Sequence, residues 1–266
     1  MRRHITGFSN PTVKYLRSLR DKKHRKRSGQ FLVEGLRLLE DARASGRLPQ
    51  TLVMAEGRDT HDLLARLESD VVAAGGEVIT TTPDILSKIT GKDNAQSVAG
   101  VFDEWDTSLA GLGRSAAPIW LVAQALRDPG NLGTMLRTGD AVGAGGLILI
   151  DDCADPFSAE AVRASMGAVF TVPLAQARWE EFLPWLREGT GQLVAASLRD
   201  AVPYRGAAYQ APCYILVGNE SQGLPEDYEA ACDLRVTMPM RGRADSLNAA
   251  VAAAVLAYEV LAGLEG

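Results

Sequence analysis

Cysteine and histidine are scarce in this sequence of 266 residues, and their placement excludes several kinds of site. The three cysteines, Cys153, Cys213 and Cys232, lie far apart and form no CxxC pair, so we expect reduced thiols and a cytoplasmic location. All three histidines fall within residues 1–61. The C-terminal half therefore offers neither a histidine metal site nor a Ser-His-Asp triad.

Long apolar runs and common nucleotide-binding motifs are also absent. No run reaches the ~18 apolar residues of a transmembrane helix, and the N-terminal residues lack the apolar region of a signal peptide. No GxxxxGK[ST] phosphate loop occurs, and the glycine cluster at 143–146 lies between a predicted helix and a strand, the wrong order for a dinucleotide fingerprint. Asp151 and Asp152 would point to opposite sides of an extended segment, so we expect a solvated strand end and no metal.

Charge is unevenly distributed, although the net charge of −5 is modest. Residues 1–30 contain ten Lys or Arg residues and one acidic residue, Asp21. This segment therefore carries about +9 and the remainder of the chain about −14. An acidic chain with a basic N-terminal segment indicates a localised contact with a polyanion.

Within that segment, residues 14–27 combine helical spacing with dense positive charge. Val13, Leu16 and Leu19 recur at the spacing of one helix face, and Lys and Arg fill most other positions. One interpretation is a helix and loop that bind RNA phosphates; the other is a charged helix face in contact with solvent. The predicted RNA-binding residues are Lys14, Arg17, Arg20, Lys22, Lys23, Arg25, Lys26 and Arg27.

Strands alternate with helices along the chain, which predicts an α/β protein of two domains. The first domain comprises residues 1–103 and the second comprises residues 118–266. Residues 104–117, rich in small and polar residues and glycine, are predicted to form a linker. In the second domain, strands are predicted at 119–123, 146–150, 170–172, 192–197, 213–217 and 234–238.

Polar loops follow these strands. The strand at 213–217 ends in Gly218-Asn219-Glu220, and Ser246-Leu247-Asn248 precedes the last helix, predicted at 249–261. Open parallel sheets bind ligands at the carboxyl ends of their strands, where glycine allows close approach to the backbone. These loops contain no conventional base, so they suit a reaction in which a cofactor carries the reactivity.

A turn also follows the first strand of the second domain. Asn131 is predicted to cap a helix at 132–142, with Arg137 in its second turn. Arg163 lies near the end of a further predicted helix at 158–165. Together with the loops described above, these turns supply the candidate catalytic residues Asn131, Arg137, Arg163, Glu220, Ser246 and Asn248.

Three motifs of the second domain carry a family resemblance. They are Asp128-Pro129-Gly130-Asn131-Leu132-Gly133 with Arg137, Gly218-Asn219-Glu220-Ser221-Gln222-Gly223-Leu224, and Met238-Pro239-Met240 with Ser246-Leu247-Asn248. In order and spacing they resemble the motifs of the SpoU-type (TrmH-like) RNA ribose 2′-O-methyltransferases of the SPOUT superfamily. Residues 163–168 also resemble a family segment. The first domain, through Asn10-Pro11 to Lys14 and Phe31-Leu32-Val33-Glu34-Gly35, is similar to the small N-terminal α/β RNA-binding domain of the family, which resembles ribosomal proteins.

The resemblance implies a C-terminal SPOUT domain with a parallel sheet and a deep trefoil knot, a rare exception to unknotted topology. It further implies S-adenosyl-L-methionine as cofactor and a homodimer with its active sites near the subunit interface. The implied cofactor-binding residues are Gly218, Met238, Leu247, Asn219 and Ser197. The catalytic residues would surround the reacting ribose, with Arg163 as a second catalytic or phosphate-binding arginine.

Arg137 raises a chemical difficulty. In the family, the equivalent arginine is proposed to help deprotonate the ribose hydroxyl, but a guanidinium with a pKa above ~12 rarely loses its proton. Arg137 would instead stabilise a developing alkoxide or hold a phosphate, while another group or water takes the proton. The competing structural roles are a surface salt bridge for Arg137, a loop cap for Glu220, and capping of the last helix by Ser246 and Asn248.

Three functions remain open from the sequence. The first is methyl transfer to 23S ribosomal RNA, favoured because minimal transfer-RNA enzymes of this type lack the N-terminal domain. The second is methyl transfer to transfer RNA. The third is an RNA-binding protein of the same fold without catalysis, which the intact set of candidate catalytic residues argues against.

RNA affinity is expected to fall steeply with salt, because the basic segment displaces counterions from RNA phosphates. Deletion of residues 1–30 should flatten the plot of log affinity against log salt concentration, measured by filter binding. An unchanged slope would exclude this segment as the RNA contact.

Overall fold

The structure, a computed structural model, describes residues 1–57, 62–93, 97–219, 221–243 and 245–265. The chain divides into two compact units. The first unit comprises Met1–Trp105 and Phe157–Phe170, and the second comprises Asp106–Pro156 and Thr171–Gly266. The predicted domain limits at 103 and 118 stay a prediction, and these compact units group residues 157–170 with the N-terminal part of the chain.

The first unit is an α/β layer built from short apolar strands and amphipathic helices. In chain order its N-terminal elements are β1 (Arg2–Ile5), α1 (Pro11–Ser18), α2 (Lys22–Ser28), β2 (Gln30–Glu34), α3 (Leu36–Ala44), β3 (Thr51–Ala55), α4 (Asp62–Ala73), β4 (Glu77–Thr81), α5 (Pro83–Thr90) and β5 (Val98–Asp103). Among the described residues, the strands pair in the order β1-β4-β3-β5-β2. β1, β4 and β3 run parallel, whereas β5 is antiparallel to both of its neighbours.

Capping residues fix where helices of this unit begin. Asn10 accepts a hydrogen bond from the Thr12 N–H at 2.9 Å before α1, and Thr82 accepts one from the Ile85 N–H at 3.4 Å before α5. Such caps satisfy backbone donors that have no partner inside the helix. The apolar face of α1 then packs into the core together with Leu19.

The basic segment forms two helices, α1 and α2, rather than one helix followed by a loop. Asp21, the acid within the segment, caps α2 by accepting from the Lys23 N–H at 2.7 Å. The Arg25 side chain is only 3% exposed and donates through Nη1 to the carbonyls of Leu19 (2.9 Å) and Arg20 (2.8 Å). Arg25 therefore satisfies carbonyls that follow the end of α1, which the sequence pattern did not predict.

Residues 157–170 add an aromatic cluster to the first unit. Phe157 lies 4.8 Å from the ring centres of both Phe31 and Trp105, and Phe170 lies 5.4 Å from that of Phe102. Ring pairs at these separations stabilise beyond the area that they bury. Phe157 is fully buried by these contacts.

The C-terminal part of the chain continues the α/β alternation. Its elements are β6 (Ile119–Gln124), α6 (Pro129–Ala141), β7 (Leu147–Ile150), α7 (Ala159–Ala164, in the first unit), β8 (Leu174–Ala177), α8 (Trp179–Arg187), β9 (Gln192–Ala196), β10 (Val202–Pro203), β11 (Cys213–Val217), α9 (Glu226–Ala230), β12 (Leu234–Thr237) and α10 (Ala249–Glu265). Short 3-10 turns occur at Leu109–Gly111 and Ala168–Phe170.

The strands of the second unit pair in parallel throughout the part of the chain that the structure describes. Their order is β10-β12-β9-β11-β6-β7-β8. The central strands β6 and β11 are continuous apolar runs with every residue but Gln124 hydrophobic, as expected for strands covered on both faces. A parallel sheet of this kind directs the carboxyl ends of all its strands to one edge.

The glycine cluster at 143–146 has a packing role in this sheet. A Cβ atom on Gly145 would lie 2.4 Å from the ring of Trp120, which stacks on Tyr214 at 5.5 Å. The glycine thus admits a large aromatic side chain beneath the turn that leads into β7. This contact explains a motif that has the wrong position for nucleotide binding.

Several predicted boundaries were wrong. The strand predicted at 170–172 lies four residues later, as β8, because a 3-10 turn occupies Ala168–Phe170. The helix predicted at 132–142 begins at Pro129, with Asp128 as its cap. The edge strands β1 and β10 were missed because polar residues or proline occupy them. The last strand of the first domain is predicted at 95–102; residues 95 and 96 lie outside the described residues, and the strand observed there is β5.

In the residues for which the structure is described, no helix is both long enough and apolar enough to cross a membrane.

Replacement of Arg25 by Met should destabilise the protein by about 2 kcal/mol, because two carbonyls lose a charged hydrogen-bond donor. Lys23→Met, in the same helix but exposed, is the matched control and should change stability by less than about 0.5 kcal/mol. Urea denaturation of both variants measures the difference. Equal stabilities for the two variants would contradict the assigned role of Arg25.

Candidate active site

A cavity of about 350 Å³ opens where β9, β11 and β12 end. The segments that follow these three strands supply Ser197, Gly218 and Met238 to its wall, and the segment before α10 adds Ser246 and Leu247. The residues predicted to bind the cofactor all line this cavity: Ser197, Gly218, Asn219, Met238 and Leu247. Loops far apart in sequence converge here because parallel strands end at the same edge of the sheet.

Backbone crowding shapes the loop after β11. A Cβ atom on Gly218 would lie 2.5 Å from the carbonyl carbon of Gly223 and 2.7 Å from the Leu224 nitrogen. Neither backbone atom can move aside as a flexible side chain could. Only glycine at position 218 therefore lets the loop fold back so that the Gly223–Leu224 backbone packs directly against the end of β11.

Asn219 organises the same loop through its side chain. Its Nδ2 donates to the Ala125 carbonyl at 2.9 Å, and its Oδ1 accepts from the N–H groups of Ser221 (2.9 Å) and Gln222 (3.1 Å). An isolated bridge joins Asn219 to Gly223. The side-chain amide is therefore engaged within the protein, and the carbonyl of residue 125 ties this loop to the one after β6.

Glu220 lies outside the described residues. Its predicted catalytic role therefore stays a prediction based on its place in the motif between Asn219 and Ser221.

A hydrogen bond joins the starts of α6 and α10. Asn248 Nδ2 donates to Asn131 Oδ1 at 2.9 Å. The prediction that Asn131 caps α6 was wrong: Asp128 Oδ1 accepts from the Asn131 N–H at 2.6 Å, so Asn131 lies in the first turn and its side chain faces Asn248. Asn248 itself caps α10, since its Oδ1 accepts from the N–H groups of Ala250 (3.0 Å) and Val251 (3.2 Å).

The two remaining predicted catalytic residues differ in location. Arg137 is exposed on α6, is not part of the cavity wall, and has no ion-pair partner among the described residues. The alternative of a surface salt bridge for Arg137 is therefore not realised in the described chain. Arg163 is exposed in the last turn of α7 and belongs to the first compact unit.

The predicted RNA-binding residues are exposed with one exception. Arg25 is buried and hydrogen-bonded to backbone carbonyls, so its assignment to an RNA contact is corrected. The exposed basic residues of α1, α2 and the turn between them are Lys14, Arg17, Arg20, Lys22, Lys23, Lys26 and Arg27.

The structure also refines the deletion experiment on residues 1–30. Such a deletion would remove β1 and the core side chains of α1, and would disrupt the first unit as well as its charge. Replacement of Lys22, Lys23, Lys26 and Arg27 by Gln removes charge from exposed positions only and is the sharper version of the salt experiment.

Sequence reasoning missed part of the cavity wall. Leu198, Arg199 and Glu229 also line it, and the buried Glu229 carboxylate accepts from Ser197 Oγ at 2.7 Å. No motif marked these residues, because Leu198 and Arg199 follow an ordinary apolar strand. Glu229 lies on the short helix α9, and only the fold brings it back to the cavity.

Asp151 and Cys153 follow the end of β7. Burial raises the pKa of Cys153 to about 11, so this thiol stays protonated at neutral pH. Asp151 accepts hydrogen bonds from Gln124, Trp179 and Tyr228, which corrects the prediction of a merely solvated strand end. Across the described residues, no group of three or more His, Cys, Asp or Glu side chains is arranged to hold a metal ion.

The chain belongs to the SpoU rRNA Methylase family, whose profile matches residues 118–258. A second profile, the MRM3-like substrate binding domain, matches residues 10–100. The first match contains the whole cavity wall and both ends of the Asn131–Asn248 hydrogen bond.

Individual relatives match almost the full length of the chain. The 23S rRNA (guanosine(2553)-2′-O)-methyltransferase RlmP of Bacillus subtilis is 31% identical over 97% of this chain and 99% of its own length. The 23S rRNA (uridine(2479)-2′-O)-methyltransferase of Streptomyces viridochromogenes is 29% identical over 97% and 92%. The crystal structure of the AdoMet-bound rRNA methyltransferase from Sinorhizobium meliloti superposes with a TM-score of 0.92, at 38% identity, over 99% of this chain and 98% of that one.

Asn248→Ala should be about 1 kcal/mol less stable than Asn248→Ser, because serine also caps helices and alanine does not. Neither shorter side chain can reach Asn131. Thermal or urea unfolding of the two variants measures the capping contribution alone. Equal losses for Ser and Ala would contradict capping by Asn248.

Proposed function

We propose that the protein transfers a methyl group from S-adenosyl-L-methionine to a ribose 2′-hydroxyl of 23S ribosomal RNA. The observation that carries this proposal is the cavity at the ends of β9, β11 and β12, whose wall contains every residue predicted to bind the cofactor. Membership of the SpoU family and the activities of the full-length relatives support the same reaction.

The cavity fits the proposed cofactor in its chemistry. The lack of a side chain at Gly218 lets the Gly223–Leu224 backbone pack against the end of β11, and the wall of the cavity mixes apolar side chains with polar groups. Ser197, Gly218, Met238 and Leu247 would hold the cofactor, largely through backbone groups. When bound, S-adenosyl-L-methionine supplies a methyl group already activated by the sulfonium charge, so the transfer needs no metal.

The Asn131–Asn248 pair and Ser246 would orient the ribose. Their amide and hydroxyl groups can donate to and accept from sugar hydroxyls, and α6 and α10 hold the two asparagines at fixed positions. Orientation of the attacking oxygen lowers the barrier because it converts a bimolecular encounter into a positioned one. Glu220 completes this set as a prediction from the motif.

Arg137 would act on charge that develops during the reaction. An exposed guanidinium without an ion-pair partner among the described residues keeps its donors available for a phosphate or an alkoxide. A guanidinium rarely loses its proton, so Arg137 is not the base, and water or another group takes the proton. Arg163 would bind a substrate phosphate.

A homodimer is part of the proposal. The exposed side chains of Val251, Val255 and Tyr258 recur along one face of α10 and leave apolar surface in water. Self-association through this face would bury that surface. Because Arg137 is absent from the cavity wall of its own chain, a second chain could bring an equivalent arginine to each cavity.

The deep trefoil knot, the domain limits at 1–103, 104–117 and 118–266, and the cytoplasmic location also stand as proposals. In the parallel sheet, β11 lies between β9 and β6, which both precede it in the chain. This insertion of a late strand between earlier ones supports the proposed knot.

Ribosomal RNA is favoured over transfer RNA by the N-terminal unit. Residues 10–100 match a substrate binding domain, and two relatives that match over almost the full length are 23S rRNA methyltransferases. Those relatives modify a guanosine and a uridine, respectively, so family membership does not identify the nucleotide. The exposed basic residues of α1 and α2 supply the charge for the RNA backbone.

The experiment combines cofactor binding with methyl transfer. Calorimetry with S-adenosyl-L-methionine, followed by transfer of labelled methyl groups to 23S rRNA or transfer RNA, distinguishes an rRNA enzyme, a tRNA enzyme and a non-catalytic RNA-binding protein. Modification at a 2′-hydroxyl of 23S rRNA is expected. Tight RNA binding without any methyl transfer would refute the proposed function.

Arg137→Ala should lower kcat by about 100-fold, in the range found when a donor to developing charge is removed, while cofactor affinity stays within about twofold. Arg137→Lys keeps the charge but loses the planar set of donors, and should recover only part of the rate. Steady-state kinetics with saturating RNA and cofactor measure both variants. Native kcat in Arg137→Ala would exclude a catalytic role.

A further inference from the structure

We propose that Glu229 is a positioning residue of the cofactor cavity: its buried carboxylate holds the turn at residues 197–199 in the conformation that binds the methyl donor. The proposal rests on the proposed function, because it concerns affinity for that donor. No motif identified above includes Glu229.

Glu229 is a carboxylate kept inside the protein. It lies on the short helix α9, is 6% exposed, and forms part of the cavity wall. Its Oε1 accepts from Ser197 Oγ at 2.7 Å, and its Oε2 lies 3.4 Å from Arg199 Nη1. Burial of a charged group is costly unless it is paired and hydrogen-bonded. An apolar residue would fill the same space at lower cost, so the carboxylate is better explained by what it holds.

The hydrogen bonds of Ser197 give this residue a linking role. Its Oγ donates to Glu229 and also accepts from the Arg199 N–H at 2.9 Å. A serine hydroxyl has one hydrogen, and here that hydrogen is used within the protein. Ser197 therefore cannot donate to a cofactor while this bond is intact. The Ser197 hydroxyl instead links the turn after β9 to α9, so the position of α9 determines that of the turn.

Leu198 is the residue that this turn presents to the cavity. It is held between Ser197 and Arg199, both of which contact Glu229, and its side chain is 72% exposed although it lines the cavity. An apolar side chain fixed at the rim gains stabilisation when a ligand covers it, at roughly 25 cal/mol per Å². Loss of the Glu229 contacts would free the turn, and the entropy of ordering it would then oppose ligand binding.

Glu226 provides a matched control in the same helix. Its carboxylate lies 3.0 Å from the same Arg199 Nη1, but its side chain is 85% exposed and it is absent from the cavity wall. Glu226→Gln thus removes the same charge from the same arginine without touching Ser197. A difference between Glu226→Gln and Glu229→Gln isolates the buried contact from general electrostatics around Arg199.

The test measures S-adenosyl-L-methionine binding to the full-length chain by calorimetry, with methyl transfer at saturating donor alongside. Glu229→Gln should raise Kd about tenfold, the size expected for a weakened hydrogen bond to a charged group, and Glu226→Gln should stay within twofold. With saturating donor, kcat of Glu229→Gln should stay within about threefold, because the turn affects binding rather than the reacting atoms.

A double-mutant cycle with Ser197→Ala completes the test. If Ser197 and Glu229 act as one unit, Ser197→Ala should also raise Kd, and the double variant should bind no more weakly than Glu229→Gln alone. Ser197→Ala leaves the Arg199–Glu229 ion pair in place, so it also tests the proposal should Glu229→Gln fail to fold.

Three results would overturn the role of Glu229. They are a Kd within twofold of native in Glu229→Gln, an equal loss in Glu226→Gln, and full additivity in the cycle. A native chain that binds no S-adenosyl-L-methionine would instead refute the proposed function itself, and the role of Glu229 with it.

Discussion

The arrangement of the second unit depends on one constraint, that parallel strands end at a common edge. β9, β11 and β12 bring three loops to that edge, and a hydrogen bond from Asn248 to Asn131 joins the starts of α6 and α10. The two asparagines are 117 residues apart in sequence. Side-chain hydrogen bonds then hold the loops in place, since Asn219 donates to the Ala125 carbonyl and joins the loop after β11 to the loop after β6. Strand topology therefore brings the loops of the cavity together, and side-chain hydrogen bonds then fix the conformation of those loops.

The buried strands and loop glycines of the second unit could be predicted from the sequence, for physical reasons that differ between elements. Strands covered on both faces must be apolar along their whole length, so β6 and β11 were evident as unbroken hydrophobic runs. Loop glycines such as Gly218 were equally evident. The edge strands β1 and β10 carry no such signal, because one side of an edge strand meets water and tolerates charge or proline.

Side-chain partners were less predictable than elements. Asp128 and Asn131 are both good caps, but in the folded protein Asp128 takes the role and the Asn131 side chain accepts a hydrogen bond from Asn248. Arg25 looked like its basic neighbours but turns inward to backbone carbonyls. Glu229 carried no signal at all, because its partners Ser197 and Arg199 are about thirty residues away. Local sequence determines secondary-structure propensity, whereas the hydrogen-bond partners of these side chains depend on their neighbours in the folded protein.

The aromatic cluster of the first unit has a consequence for how such chains can be recombined. Phe157 and Phe170 are encoded within the stretch that matches the methylase profile, yet they pack on Phe31, Phe102 and Trp105 from the N-terminal portion. A gene fusion or truncation that separates the chain at residue 117 would leave both rings without their neighbours. The two portions are consequently not interchangeable modules, and an exchanged N-terminal portion must preserve the ring partners of Phe157 and Phe170.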